Sequence, residues 1–268
     1  MADPYVALVR LGLVGCENDV LMKNSRVAVA TVLILIAVVL LARLVWWTPE
    51  KTAGRRALHT RSIATSVLAA YISQAAAGES VVVMSNPFAG RPGQPAHVRD
   101  FEEAGLEGLR HAWAGGKQAF DIELPALNPA AETNPAALML DPNTTTPISY
   151  LQAERAWDTV LKKHQGVGVV VSLIGFPADT LESEFWKGPK PRLAMLLPDI
   201  RFIGGPEGML AAFGSGKLVA IVLRRPGSPS ENTPPAGDAK AEFEKRYLLV
   251  TRDNVATMVQ DFPTAFRQ

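Results

Sequence analysis

Residues 149–174, SYLQAERAWDTVLKKHQGVGVVVSLI, join a helical pattern to a strand pattern and decide the fold class of this chain. The part up to His164 places apolar side chains at helical spacing, which predicts an amphipathic helix over residues 149–164. The part from Val167 to Ile174 is a nearly uninterrupted apolar run, which is typical of a strand buried on both faces. A helix followed directly by such a strand is the repeating unit of a parallel sheet covered by helices.

The same alternation of helices and apolar strands recurs on both sides of this stretch. Upstream, the pattern predicts helices over residues 61–77 and 100–113 and strands over residues 81–84 and 119–124. Downstream, it predicts strands over residues 193–197, 218–223 and 247–251 and helices over residues 207–213 and 252–260. We therefore expect one doubly wound α/β domain with a mainly parallel sheet of about five or six strands.

Residues 157–177 (WDTVLKKHQGVGVVVSLIGFP) and 205–222 (GPEGMLAAFGSGKLVAIV) resemble parts of one lobe of the type I periplasmic binding proteins. In that fold a helix, a Ser-Gly-Lys-like turn and a core strand follow one another in the same order. The resemblance implies a doubly wound sheet. It is a likeness of fold, and no ligand-contacting residue is carried over from it.

The run VAVATVLILIAVVLLARLVWW, from Val27 to Trp47, predicts a membrane anchor. A helix of about twenty apolar residues crosses the roughly 30 Å hydrocarbon core of a bilayer. Trp46 and Trp47 end the run, where indole rings favour the headgroup interface, and Arg43 can snorkel outward. The run is longer than a typical cleaved signal and no clear A-x-A site follows it, so we expect the anchor to be retained.

Basic residues flank this run on both sides and leave its orientation open. Residues 22–26 (MKNSR) resemble the start of a bacterial signal anchor and favour a C-terminal part outside the cytoplasm. The opposite topology is favoured by basic residues beyond the run, namely Lys51, Arg55, Arg56 and Arg61. We expect a single-pass inner-membrane protein with a periplasmic C-terminal domain. Residues 1–21 are then either a dispensable extension or a start placed too early.

These features divide the chain into successive parts. They are an N-terminal extension with its basic segment over residues 1–26, the anchor over 27–47, a juxtamembrane linker over 48–61 and an extracytoplasmic α/β domain over 62–268. Within the domain, the Pro- and Asn-rich residues 125–147 and the Pro- and Ser-rich residues 226–240 predict flexible loops.

Composition excludes several kinds of site in the exported part. The sole cysteine, Cys16, precedes the anchor, so the predicted domain has no disulfide, thiolate metal site or cysteine nucleophile. Lys and Arg total 27 against 26 for Asp and Glu, so no basic excess indicates a nucleic-acid partner.

The loops that follow the predicted strands carry the candidate binding residues. In open α/β sheets, ligands bind at the carboxyl ends of the strands. The side chains that fall there are Asn86, Phe88, Arg91, Phe176, Asp179, Asp199 and Arg201. The polar members offer hydrogen-bonding groups, and the two phenylalanines offer an aromatic floor. The alternative is ordinary turn chemistry with solvated loop charges.

No motif predicts catalysis, a metal site or a cofactor. The four histidines lack metal-ligand spacing, and neither H-E-x-x-H nor G-x-S-x-G occurs. We therefore expect a non-catalytic module that binds a small solute or a partner protein, in the latter case as an accessory subunit of a membrane complex. The alternative is an anchored hydrolase or transferase that uses Asp179 or Asp199 as a general base at the strand ends.

Overall fold

The computed structural model describes residues 34–38, 49–113, 120–135, 138, 148–230, 233–235 and 237–267. The chain divides into two units, residues 1–52 and 53–268, and the sheet belongs to the second. The predicted anchor lies outside the described residues except for residues 34–38, which are helical and exposed. Across the described ranges, no helix combines the length and the apolar character that a bilayer span requires.

Six strands form one sheet, which confirms a mixed α/β fold. They are β1 (Val81–Met84), β2 (Phe120–Glu123), β3 (Val169–Ser172), β4 (Arg192–Leu196), β5 (Leu218–Arg224) and β6 (Tyr247–Thr251). Their order across the sheet is β2-β1-β3-β4-β5-β6. The first five strands pair in parallel, and β6 pairs antiparallel with β5. The chain leaves β1 toward β2 and later resumes at β3 on the other side, so the topological switch point lies between β1 and β3.

Helices cover both faces of the sheet. They are α1 (Pro49–Ala75), α2 (Ala96–Trp113), α3 (Pro129–Thr133), α4 (Ala156–Leu161), α5 (Glu184–Lys187), α6 (Gly205–Gly214), α7 (Ala239–Arg246) and α8 (Val255–Asp261). Apolar residues of α1, α2 and α7 pack on one face, and those of α4, α5, α6 and α8 pack on the other. All residues of β1 and β3 are buried, as the apolar runs predict for strands covered on both sides.

Helix α1 is longer at its N-terminal end than the sequence pattern predicts. The predicted helix begins at Arg61 after a polar linker, whereas α1 begins at Pro49. Arg55 and His59 are exposed, while the neighbouring Thr60 and Arg61 are buried. Arg55 and His59 therefore lie on the outer face of this helix.

The helix predicted over residues 149–164 is broken in the structure. Ser149–Leu151 form a short 3-10 helix, and α4 begins only at Ala156. Between them Arg155 adopts a left-handed conformation with φ of 57°, and its backbone N–H donates to Asp179 Oδ2 at 2.7 Å. Because the acceptor comes from the loop after β3, local periodicity does not contain the signal for this break.

Helix α7 begins inside the loop predicted over residues 226–240. The Asp238 carboxylate caps it by accepting from the Ala241 N–H at 2.7 Å. Glu242 and Arg246 form a buried ion pair one turn apart on this helix. Arg246 also donates to carbonyl groups of the loop, those of Pro229, Ser230 and Thr233. The described part of this loop is therefore fastened to α7 by a buried arginine.

Candidate functional site

The candidate residues lie in loops at one edge of the sheet. Residues 85–93 follow β1, residues 173–179 follow β3, and residues 197–204 follow β4. Because these strands are parallel, their carboxyl ends meet at the same edge. The first two loops flank the switch point, which is the usual place for a ligand in this class of fold.

A buried ion pair occupies the switch point. Glu102 Oε1 of α2 accepts from Ser85 Oγ at 2.6 Å and from the Asn86 N–H at 2.9 Å, directly after β1. Glu102 Oε2 lies 2.9 Å from Arg61 Nη2 of α1, which also donates to the Leu173 carbonyl at 3.1 Å, directly after β3. We call Arg61, Ser85, Asn86, Glu102 and the Leu173 carbonyl the switch-point cluster.

Within the switch-point cluster, the hydrogen-bond donors that a bound anion would need are already bonded to Glu102. In ligand-binding sheets, backbone N–H groups at the strand ends hold the anionic part of the ligand. Here the Glu102 carboxylate accepts the hydrogen bond from the Asn86 N–H, and the Arg61 guanidinium balances the negative charge of the carboxylate. The side chains of Arg61 and Glu102 are 2% and 4% exposed. Arg61 also lies 4.3 Å from the centroid of the Phe101 ring, which leaves its guanidinium enclosed on that side.

Neither Arg61 nor Glu102 was among the residues that the sequence predicted for this site. One signal for Arg61 was present, because it lies on the same helical face as Ala64, Leu68 and Ile72, all of which are buried. A charged residue in such an apolar stripe needs a buried partner. That partner is 41 residues away in sequence, so the pattern could not identify it.

The predicted residues of the first loop are engaged within the chain. Asn86 is 5% exposed, and its Oδ1 accepts from the Phe88 N–H at 2.9 Å, which closes a turn. Phe88 is 8% exposed and belongs to the hydrophobic core. Arg91 Nη2 lies 2.5 Å from Glu132 Oε1 at the surface. Turn chemistry, one of the two sequence-based alternatives, describes Asn86 better than an open binding site does.

The predicted residues of the second loop are also committed to the fold. Phe176 is fully buried and packs edge-on against Trp186, with 6.1 Å between the ring centroids. It therefore lies in the core and does not form an exposed aromatic floor. Asp179 holds the Arg155 backbone in its left-handed conformation through the hydrogen bond described above.

Asp199 and Arg201 form a bidentate ion pair in the third loop. Arg201 Nε lies 2.8 Å from Asp199 Oδ1, and Nη2 lies 2.5 Å from Oδ2. The hydrogen bond and the charge of Asp199 raise the pKa of Arg201 above its ordinary value. Asp199 also accepts from the Arg201 N–H at 3.0 Å, which caps a 3-10 helix. Arg201 is thus an exposed, charged loop residue whose charge is paired with that of Asp199.

An aromatic pair with one exposed member lies beside this ion pair. Tyr150 and Phe202 meet edge-on with 5.1 Å between their centroids, and Tyr150 is 43% exposed. The neighbouring Arg201 side chain is 59% exposed. Aromatic and arginine side chains of this kind are enriched at the centres of protein interfaces.

A buried lysine lies at the amino-terminal ends of the strands, opposite the candidate site. Lys217 precedes β5 and is 6% exposed, and its Nζ donates to the carbonyls of Phe185 and Gly188, the latter at 2.9 Å. Burial lowers the pKa of Lys217 to about 8. Its contacts fasten the end of α5 to the start of β5, which is a structural role.

His164 lies beside two carboxylates of β2, a contact suited to structure. His164 Nε2 lies 2.7 Å from Glu123 Oε1, and its Nδ1 lies 3.6 Å from Asp121 Oδ2. Within the described part of the chain, no group of three or more His, Cys, Asp or Glu side chains is placed to hold a metal ion.

No protein-family model, curated protein or solved structure matches this chain. The resemblance to one lobe of the type I periplasmic binding proteins therefore stays a prediction from the sequence.

Proposed function

We propose that this protein is a membrane-anchored, non-catalytic α/β module that binds a partner protein outside the cytoplasm. Its membrane attachment is supported by the apolar run over residues 27–47 and the basic residues 22–26 before it. The compact sheet domain carries the binding surface. In this arrangement the module serves as an accessory subunit of a membrane complex in the inner membrane.

The switch-point cluster is the observation that favours a protein partner over a small solute. The Asn86 N–H and the Ser85 hydroxyl are already bonded to the Glu102 carboxylate. A small anionic ligand entering there has to displace a buried carboxylate that is paired with a buried arginine, which is costly. The exposed Tyr150 and Arg201, together with the partly buried Phe202, offer a contact surface that needs no such displacement.

The same geometry disfavours catalysis at the strand ends. A general base needs access to a substrate proton and a pKa near the working pH. Asp199 is 5% exposed and shares both carboxylate oxygens with Arg201. Asp179 accepts a backbone hydrogen bond that shapes its own neighbourhood. Both carboxylates therefore serve the fold.

Photo-crosslinking in the native cell tests the proposed function. The photoreactive residue p-benzoylphenylalanine replaces Tyr150, Leu181 or Leu124, which are exposed apolar positions. Illumination should give an adduct of one defined mass in the membrane fraction. The same residue at the exposed charged position Glu107 on α2 serves as the control. Absence of an adduct at all three apolar positions contradicts the proposal.

A thermal-shift screen of metabolites distinguishes the solute-binding alternative. We expect no metabolite to raise the melting temperature of the full chain, because the switch-point donors are used internally. A ligand that does so, and loses its effect in Ser85→Ala, would replace the partner-protein proposal with a solute-binding one. A C-terminal alkaline phosphatase fusion tests the topology, since it is active only outside the cytoplasm. An inactive fusion, with a bright fluorescent-protein fusion, places the domain in the cytoplasm.

A further inference from the structure

The two outermost strands of the sheet, β6 and β2, differ in whether their outward backbone groups are covered. At the β6 edge, the Asn254 side chain bonds the outward backbone groups of the strand. Its Nδ2 donates to the Leu249 carbonyl at 3.0 Å, and its Oδ1 accepts from the Thr251 N–H at 2.8 Å. This side chain takes the place of a neighbouring strand and blocks further pairing, as edge-protecting devices do.

The β2 edge has no such device among the described residues. The Glu123 carbonyl accepts from the Ser85 N–H at 2.9 Å, so Glu123 directs its backbone groups toward β1. Because backbone direction alternates along a strand, Ile122 directs its N–H and C=O away from the sheet. No strand in the described part of the chain pairs there. The Ile122 and Leu124 side chains beside this edge are 40% and 50% exposed.

The acidic side chains of β2 favour some pairing strands over others. The Asp121 and Glu123 side chains lie on one face. Glu123 is paired there with His164 and Lys163, whereas the Asp121 side chain is 75% exposed. An antiparallel pairing with a second copy of β2, centred on Ile122, would place Asp121 opposite Glu123 of that copy. Like charges directly opposite each other are destabilising, whereas opposite charges are favourable. The charge pattern therefore disfavours a second copy and favours a basic strand.

We propose that the outer edge of β2 binds an extended segment of the partner protein in which basic and apolar side chains alternate. The segment adds a strand to the sheet, with its basic side chains on the face of the exposed Asp121 and its apolar side chains beside Ile122. This inference rests on the proposed function and specifies where the partner docks.

A short synthetic peptide of alternating lysine and valine is the probe for this edge. The peptide is titrated against the purified full chain, and amide hydrogen exchange is followed across residues 120–124. Peptides of alternating glutamate and valine, and of the same lysines and valines in block order, are the controls. We expect the alternating lysine peptide to bind most tightly and to protect the Ile122 amide.

Three substitutions make the test specific. Ile122→Pro removes the outward N–H without touching the hydrogen bonds to β1, since proline is tolerated in this position of an edge strand. It should weaken binding about tenfold, whereas Ile122→Val should leave it unchanged. Asp121→Lys should reverse the preference between the lysine and glutamate peptides. The exposed Asp100→Lys on α2 is the control for a general change of charge.

Several results would overturn the inference. Absence of peptide binding does so, and so does binding that neither Ile122→Pro nor Asp121→Lys alters. Protection of Ile122 in the free chain at every concentration shows that another part of this chain covers the edge, and protection that grows with concentration shows a second copy. If the cellular crosslink persists unchanged in Ile122→Pro, the proposed function stands and this docking site is wrong.

Discussion

Arg61 and Glu102 form a buried ion pair, with 2.9 Å between Nη2 and Oε2, where α1 passes α2. Through their remaining bonds, the two side chains also contact both sides of the switch point, after β1 and after β3. One pair therefore connects two helices to two strand ends. Such a pair contributes little net stability over an apolar alternative, but leaving one member unpaired is costly.

Arg61→Met should lower the free energy of unfolding by about 3–5 kcal/mol, because it leaves the Glu102 carboxylate buried without its cation. Chemical denaturation of the full chain measures this change. The exposed pair Arg110–Glu103 on α2, with 2.6 Å between its charged atoms, is the control. Arg110→Met should cost less than about 1 kcal/mol. Equal losses of stability in the two variants would contradict a special structural role of the buried Arg61–Glu102 pair.

Gly108→Ala should destabilise the domain by about 1–3 kcal/mol, because α1 and α2 approach each other closely at this glycine. An added Cβ would overlap Thr65 Oγ1 and the backbone carbonyl oxygen of Ser62 on α1. Gly214→Ala is the control, since its Cβ would meet nothing within 4 Å at the end of α6. That substitution should stabilise by about 0.4–1 kcal/mol through the unfolded chain. Thermal and urea unfolding of both variants decide the matter, and a neutral Gly108→Ala contradicts the close crossing.

The stability that Lys217 contributes should depend on pH with a definite sign. Its pKa falls from an ordinary value of 10.5 to about 8 in the folded chain. Between these values the unfolded chain holds more protons than the folded chain, so stability rises with pH in that window. The free energy of unfolding of the wild type, minus that of Lys217→Met, should grow by about 1–2 kcal/mol between about pH 7 and about pH 10. Urea titrations at both values, with the exposed Lys162→Met as a baseline, measure it. A difference that shrinks with pH would be evidence against a buried lysine.

Asn254→Ala should release the outward backbone groups of Leu249 and Thr251 and cost about 1 kcal/mol of stability. It should also expose the β6 edge to pairing with other chains, which size-exclusion chromatography detects as a concentration-dependent rise in mass. Asn254→Asp is the matched variant. It keeps an acceptor for the Thr251 N–H and loses only the donor to the Leu249 carbonyl. The stability of Asn254→Asp should lie between those of the wild type and Asn254→Ala. If Asn254→Ala keeps the stability and the mass of the wild type, the β6 edge needs no protection.

The predicted site residues show what can be derived from the rule that ligands bind at the carboxyl ends of the strands. Asn86, Asp179 and Arg201 were placed correctly in the loops that follow β1, β3 and β4. Asn86 and Arg201 bond groups only two residues away, whereas the partners of Asp179 and Arg91 could not be predicted, because they lie far away in sequence. Asp179 bonds a backbone N–H that is 24 residues earlier, and Arg91 bonds a glutamate that is 41 residues later. The sequence therefore located the edge of the sheet without showing that its polar groups are already occupied.

By itself, the sequence determined the α/β class and the positions of the strands. A strand buried on both faces is apolar along most of its length, so Val81–Met84 and Val169–Ser172 carry the evidence of their burial in consecutive residues. Tertiary structure alone decided the antiparallel direction of β6, the break at Arg155 and the burial of Arg61 against Glu102. Each of these depends on groups far apart in sequence that meet only after the sheet has formed, and no local pattern of polarity records such a meeting.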